Sequence, residues 1–349
     1  MGHKEPHEPD QLRGQGSARG RPAPQGTRVA NPWRTEGERF SSFLHASRLE
    51  FNRCLEPSWQ CMNRAIRAHS VQNSRVLDLL ARNGHVVAPR LRASMHQGPQ
   101  LEFVSVGRNR ATTFTGLCAF HDNAIFRPIE TSDLDLSNQE HLFLLAYRAA
   151  TRELHATMQA AVQLQTAYQE RVERGLDDEN EMTPAGLEAT AQILIAHQTF
   201  NYRGVLDDAL HVRDFAALEH DVSILNVDRP TIAVSSLFSL DTTPVGDRVV
   251  LVHLNVFPRS QNETAVVWSY TPANAGMARA HLDRALISSG YHQLYEISRV
   301  VLRHCENLVL SPEYFDLWTP QKRQVVHDYF FATFWRSSPD LESAELFLF

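Results

Sequence analysis

The apolar positions of this chain change period several times, and each change marks a different kind of structure. Residues 1–33 show no period. They are rich in Gly, Pro, Arg and Gln (RGQGSARGRPAPQG) and hold too few apolar residues for a core, so they read as a disordered tail. From 34 to 53, Phe40, Phe43, Leu44 and Phe51 fall at helical spacing and predict a short helix. Val76, Leu79 and Leu80 share one face of a second predicted helix over 74–83, with Ser74 as N-cap and Gly84 placed to stop it in a left-handed conformation. Two strand-like runs follow, His85–Ala88 and Leu101–Gly107, the second alternating (LEFVSVG). Thr115-Gly116 signals a turn before Cys118, and a short helix from Asn123 is expected to end at Pro128.

The helical period becomes sustained from Ser137. Ser137 and Glu140 form a capping-box signature, and Leu142, Leu145, Ala146, Ala149, Leu154, Met158 and Ala161 carry a helix to about Arg174, where Gly175 breaks it. Thr183-Pro184 starts a second long helix that reaches about Leu210, and the polar loop between the two predicts an antiparallel hairpin. Between 221 and 270 the runs DVSILNV, TIAVSSLFSL, DRVVLVHLNVF and TAVVWSY, separated by turn residues, predict an antiparallel meander of four strands. Helices near 274–289, 291–305 and 320–335 close the chain. The fold class is α+β: a tail (1–33), a small zinc-stabilised treble-clef-like module (34–135), then a helical hairpin and an antiparallel sheet covered by helices (136–349).

Composition narrows the class. The chain has 349 residues, 43 % hydrophobic and 21 % charged, as in soluble globular proteins. No apolar run approaches the roughly 20 residues of a membrane span, and the N-terminus has no apolar signal region. Four cysteines without such a signal point to a reducing, cytoplasmic setting, where clustered cysteines more often bind metal than pair as disulfides. The net charge of −6 is unevenly spread. Residues 1–130 carry 18 Lys and Arg against 11 Asp and Glu, a balance of +7; the remaining 16 and 29 give −13. The basic half is consistent with a polyanionic partner, DNA or RNA. No phosphate-binding glycine loop, dinucleotide fingerprint, Gly-x-Ser-x-Gly or His-Glu-x-x-His occurs, which disfavours the chemistries those motifs carry.

The chemistry concentrates between Cys54 and Glu130. Cys54-x6-Cys61 and Cys118-x2-His121 supply three thiolates and an imidazole from two turns, the ligand types and spacing of a structural zinc ion. His69 lies between the pairs, in Ala68-His69-Ser70-Val71-Gln72, and Asp122-Asn123 follow the second pair. This order resembles the HNH (ββα-metal) nucleases in their zinc-bearing treble-clef form. The resemblance implies that His69 is the general base and that Asn123, or Asp122, lies near a catalytic Mg2+ or Mn2+. Ala68 stands where that family usually has a metal-binding Asp or His. Over a longer stretch, Ala68–Gln72, Gly84–Val86, Cys118–Glu130 and Tyr147-Arg148 resemble blocks of a group of uncharacterised bacterial proteins, which implies no particular activity. Two functions follow as expectations: a metal-dependent HNH-like endonuclease, as in a bacterial defence or toxin effector, or a non-enzymatic zinc module that binds nucleic acid or protein.

Other polar residues read more simply. Asp122 and Glu130 are expected as solvated acids, His85 as a surface turn residue and Glu140 as a cap. His197, Asn201, Tyr202 and Arg203 form a polar patch on the second long helix. His253 and Asn255 share one face of a strand, read as half-exposed, and Cys305 reads as a buried apolar side chain.

Overall fold

The computed structural model describes residues 51–58, 60–94, 98–240, 249–334 and 342–349. The tail expected over 1–33 and most of the helix expected over 34–53 lie outside the described residues. Two strands open the described chain, β1 (Ala68–His69) and, after a hairpin, β4 (Thr113–Phe114), paired antiparallel. The intervening β2 (His85–Ser94) and β3 (Gly98–Gly107) are longer than their apolar runs and form a ten-pair ladder. The helix expected from Ser74 is instead one π-helical turn, Asn73–Leu77, continuing through Asp78–Leu80, with Gln72 at its N-cap. Gly84 is left-handed (φ +73), as is Asn83, but they turn the chain into β2 and do not cap the helix, which has already ended.

Helix α1 spans Ala119–Thr131 and runs through Pro128. Proline removes one intrahelical bond. The helix nevertheless continues because Phe126 and Ile129, on either side, are almost fully buried. Helix α2 (Gln139–Glu173) is capped by Asn138, whose side chain accepts from the Glu140 and His141 N–H groups; Ser137 and Glu140 do not form the box. Helix α3 (Pro184–Val212) is capped by Thr183 as expected, and the two long helices pack as a hairpin.

The remaining strands, β5 (Glu219–Asn226), β6 (Ile232–Leu240), β7 (Val250–Pro258), β8 (Glu263–Tyr270) and β9 (Leu308–Leu310), join β2 and β3 in one antiparallel seven-stranded sheet of order β3-β2-β9-β6-β7-β8-β5. The meander holds for β6-β7-β8 only, because β5 pairs with β8. The three-residue β9 pairs with both β2 and β6, so the sheet crosses the boundary expected at residue 135. Helices α4 (Pro272–His281), α5 (Asp283–Ile287), α6 (Gly290–His304), α7 (Pro312–Asp316) and α8 (Pro320–Phe334) complete the chain.

Strand alternation sorts two cores. Val250, Val252, Leu254 and Val256 of β7 join the core that holds Ile297 and Val301 of α6. The odd-numbered Leu251 and Phe257 pack in the clusters that contain α2. Both faces are therefore covered, and His253 and Asn255 are buried rather than half-exposed. The Tyr202 hydroxyl is 2.7 Å from Nε2 of His253, and His220 Nδ1 is 2.8 Å from the hydroxyl of Ser269. Cys305 is buried, as read.

Candidate metal centre

Residues 51–67 fold back on the segment before α1. Leu55 N–H donates to the Gly116 carbonyl (2.7 Å), Ile66 N–H to Leu117 (2.8 Å), and Arg53 bridges Arg64. Glycine is required at 116, since a Cβ there would drive into the Phe114 ring. The Cys54–Cys61 loop is closed from inside by Glu56. Its carboxylate accepts from Ser58 N–H (2.9 Å) and hydroxyl (2.6 Å), Gln60 N–H (2.7 Å) and Cys61 N–H (3.0 Å). Burial opposes its ionisation, but these four donors win and hold the carboxyl down to about 2.

This loop brings Cys54 and Cys61 against Cys118, at the N-cap of α1, and His121, in its first turn. All four ligating atoms lie within 4.8 Å of one another. Zinc–sulfur bonds of about 2.3 Å and zinc–nitrogen bonds of about 2.0 Å set tetrahedral edges of about 3.8 Å between sulfurs and about 3.5 Å between sulfur and nitrogen. Cys61 and Cys118 sulfurs are 3.8 Å apart, Cys54 Sγ is 3.6 Å from His121 Nδ1, and Cys118 Sγ is 3.3 Å from the same nitrogen. The cysteines are free thiols. The four side chains could hold a metal ion, and the donor set is compatible with Zn2+; four protein ligands would leave no open position for substrate, as in a structural site.

The electrostatics of the thiols are mixed. Burial pushes the Cys54 thiol up to about 12. Burial also opposes ionisation of Cys118, but the His121 N–H at the helix N-terminus and the Cys54, Cys61 and His121 side chains bring it down to about 7. A dication among the sulfurs favours all three thiolates.

The chain matches no known family model, no curated protein and no solved structure.

His69, on β1, has Nδ1 3.0 Å from the Ala111 carbonyl. That contact assigns the proton to Nδ1 and leaves Nε2 basic. Burial lowers its pKa; the Ala111 carbonyl and Glu130 oppose this, and Arg148 adds to it. Arg148 of α2 is itself buried, 2.6 Å from Glu130, with its guanidinium 4.2 Å over the Phe126 ring. Asp122 is pushed up by burial and feels the same Arg148 and Glu130. His69, Asp122, Glu130 and Arg148 thus form one charge group. Asn123, the other residue expected here, is exposed on α1. Thr112, beside the hairpin, has φ +56, unusual for a β-branched residue; its carbonyl accepts from both the N–H and the hydroxyl of Ser70 (3.0 Å each).

The catalytic Mg2+ or Mn2+ expected beside His69 finds no such donor set. Ala68 offers none, and Glu130 is already bonded to Arg148. Among the described residues only the Cys54–His121 group gathers three or more ligating side chains around one point. A guanidinium supplies the positive charge near His69.

Behind the zinc loop lies a second polar group. Arg203, fully buried, donates to Asp207 (2.7 Å), to the Leu55 carbonyl (3.1 Å) and to the Tyr147 hydroxyl, which donates to Asp207 (2.6 Å). The expected patch on α3 is therefore split, with His197 and Asn201 exposed and Tyr202 and Arg203 turned inward. His85 is exposed, as read. Glu56 and Arg203 were not expected as parts of the centre. The signals for them were slight: an acid two residues before Ser58, and an opposite charge four residues from Asp207.

Proposed function

We propose that the region around Cys54–Glu130 is a treble-clef, HNH-like hydrolase module that cleaves phosphodiester bonds in nucleic acid, with zinc as its scaffold and His69 as general base. The observation that carries this reading is His69 itself. It sits on a short strand paired antiparallel to the strand that leads into the zinc-bearing helix, Nδ1 anchored on a carbonyl and Nε2 left basic. Strained backbone at Thr112, next to that carbonyl, is of the kind that collects at functional sites. Residues 51–130 carry 10 Lys and Arg against 5 Asp and Glu, and Arg64, Arg67, Arg110 and Arg127 are exposed, which suits a polyanion. In this reading water loses a proton to Nε2 of His69 and its oxygen bonds to phosphorus as the ester oxygen departs. The buried charge of Arg148 favours the negative charge that builds on the phosphoryl oxygens. The departing oxygen takes its proton from solvent water. A cytoplasmic setting suits the module, since its thiols must stay reduced to hold zinc.

The second reading is a non-enzymatic zinc module that binds nucleic acid or protein, favoured by Ala68 and by the missing second ligand set. Nicking of supercoiled plasmid, and cleavage of RNA, by wild type and His69→Ala with and without added Mg2+ or Mn2+ separates the two. The nuclease reading expects cleavage that falls about 100-fold or more in the variant while zinc content is unchanged. Retention of nucleic acid without cleavage by either protein selects the second reading. Equal cleavage by both removes His69 from the site.

A further inference from the structure

The central strands hold a second candidate site, separate from the zinc ligands. Ser235 of β6 and Asn255 of β7 are direct cross-strand partners on the sheet face that α2 covers. Together with Arg148 they line one cavity of about 30 Å3. All three are more than nine-tenths buried: Arg148 is 4 % exposed, Asn255 3 % and Ser235 1 %. For Arg148 Nε, Asn255 Nδ2 and Ser235 Oγ, no protein partner among the described residues lies within hydrogen-bonding distance. The first two are donors only and the third is a hydroxyl that can donate, so the deficit is one of acceptors.

The rest of the lining is largely apolar, including Val71, Val76, Ile129, Val234 and Phe257. Half-buried Gln72, Leu134 and Leu145 mark the side nearest solvent. One water accepts at most two of the three donors, and the hydrogens of any further water would face hydrocarbon. A doubly charged phosphate would be costly to desolvate against such walls. The volume suits about two to three water-sized spheres. We infer that this cavity binds the carboxylate group of a small monocarboxylic acid, of formate or acetate size, held by Arg148 Nε, Asn255 Nδ2 and Ser235 Oγ. The site shares Arg148 with the His69 charge group, but its test reads ligand binding alone and needs no hydrolysis, so the two readings fail separately.

Calorimetric titration of the zinc-loaded full chain with acetate, formate and inorganic phosphate, against sodium chloride at matched ionic strength, tests it. Acetate or formate is expected to bind saturably and more tightly than phosphate. Ser235→Ala and Asn255→Asp, the latter placing a carboxylate beside Arg148, should each weaken that binding about tenfold or more. Ser235→Ala leaves the strand's backbone bonds intact and keeps the test decisive should the charged variant fail to fold. Absence of saturable binding by the wild type overturns the inference. So does equal binding by wild type and Ser235→Ala, and so does binding of phosphate in preference to both carboxylates.

Discussion

Arg203→Met isolates the contact that ties the zinc loop to the helical hairpin. The native guanidinium is fully buried, paired with Asp207 at 2.7 Å, bonded to the Leu55 carbonyl at 3.1 Å and stacked 4.3 Å over the Tyr147 ring. Methionine keeps much of the apolar stem and removes the charge. Asp207 then has no cation, and burial already pushes its pKa up against the pull of Arg203. Breaking a buried pair from one side costs about 3–5 kcal/mol. Protonating an ordinary Asp at neutral pH costs about 4 kcal/mol, which sets a similar ceiling. The expected loss in urea unfolding is therefore about 4 kcal/mol at neutral pH. In the variant the carboxyl pKa is raised above its unfolded value, so folding favours the protonated form and the loss shrinks as pH falls toward about 4. Adding Asp207→Leu removes the orphan charge and should restore about half of the loss, the rest reflecting the Leu55 carbonyl and Tyr147 hydroxyl left without their partners. A single variant within about 1 kcal/mol of wild type, or a double variant no more stable than the single, would refute the reasoning.

Two further outcomes follow from the same structure. A mercurial thiol reagent should release one zinc ion per chain, and Cys118→Ser should lower both zinc content and the unfolding midpoint; free zinc at a thousand times its Kd adds about 4 kcal/mol, so a zinc-free protein of unchanged stability would exclude the site. Burial pushes His253 down to about 3 and His220 to about 4, so both stay neutral in the fold while the unfolded chain takes up protons below about pH 6.5. Stability should thus be full above that pH and fall between about 6.5 and 4, by roughly 4 kcal/mol in all at pH 5. Unfolding curves that do not move over that range, or a His220→Asn variant with an unchanged slope, would show that these histidines do not carry it.

The four clustered side chains, Cys54, Cys61, Cys118 and His121, were legible because a metal site fixes residue types and spacing more tightly than packing does. The long helices were legible from period and from Thr183 and Gly175, whose roles are local. What escaped the sequence depends on distant partners. Three residues of β9, Leu308–Leu310, carry no period, yet they join β2 to β6 and make the sheet continuous. The buried face of His253 and Asn255 looked half-exposed because alternation reports two different environments, not which of them is solvent. Pro128 looked like a helix end because the local rule was applied without the packing of Phe126 and Ile129. Glu56 had no visible role because its four donors exist only once the loop has closed.

The order of dependence runs from the metal centre outward. Helix α1 begins at Cys118 and His121, carries Asp122 in its first turn and ends beside Glu130, which holds Arg148. The strand bearing His69 follows the segment that Ile66 ties to Leu117, one residue before Cys118. Both halves of the His69 charge group are thus set by backbone that the Cys54–His121 cluster joins. His69 itself touches the Ala111 carbonyl and lies in the field of Arg148. Arg148 also faces the cavity of Ser235 and Asn255, so one buried guanidinium stands between the β1–β4 hairpin and the central sheet. The four-ligand cluster therefore fixes the backbone on both sides of His69, and one buried cation, Arg148, lies between that charge group and the central sheet.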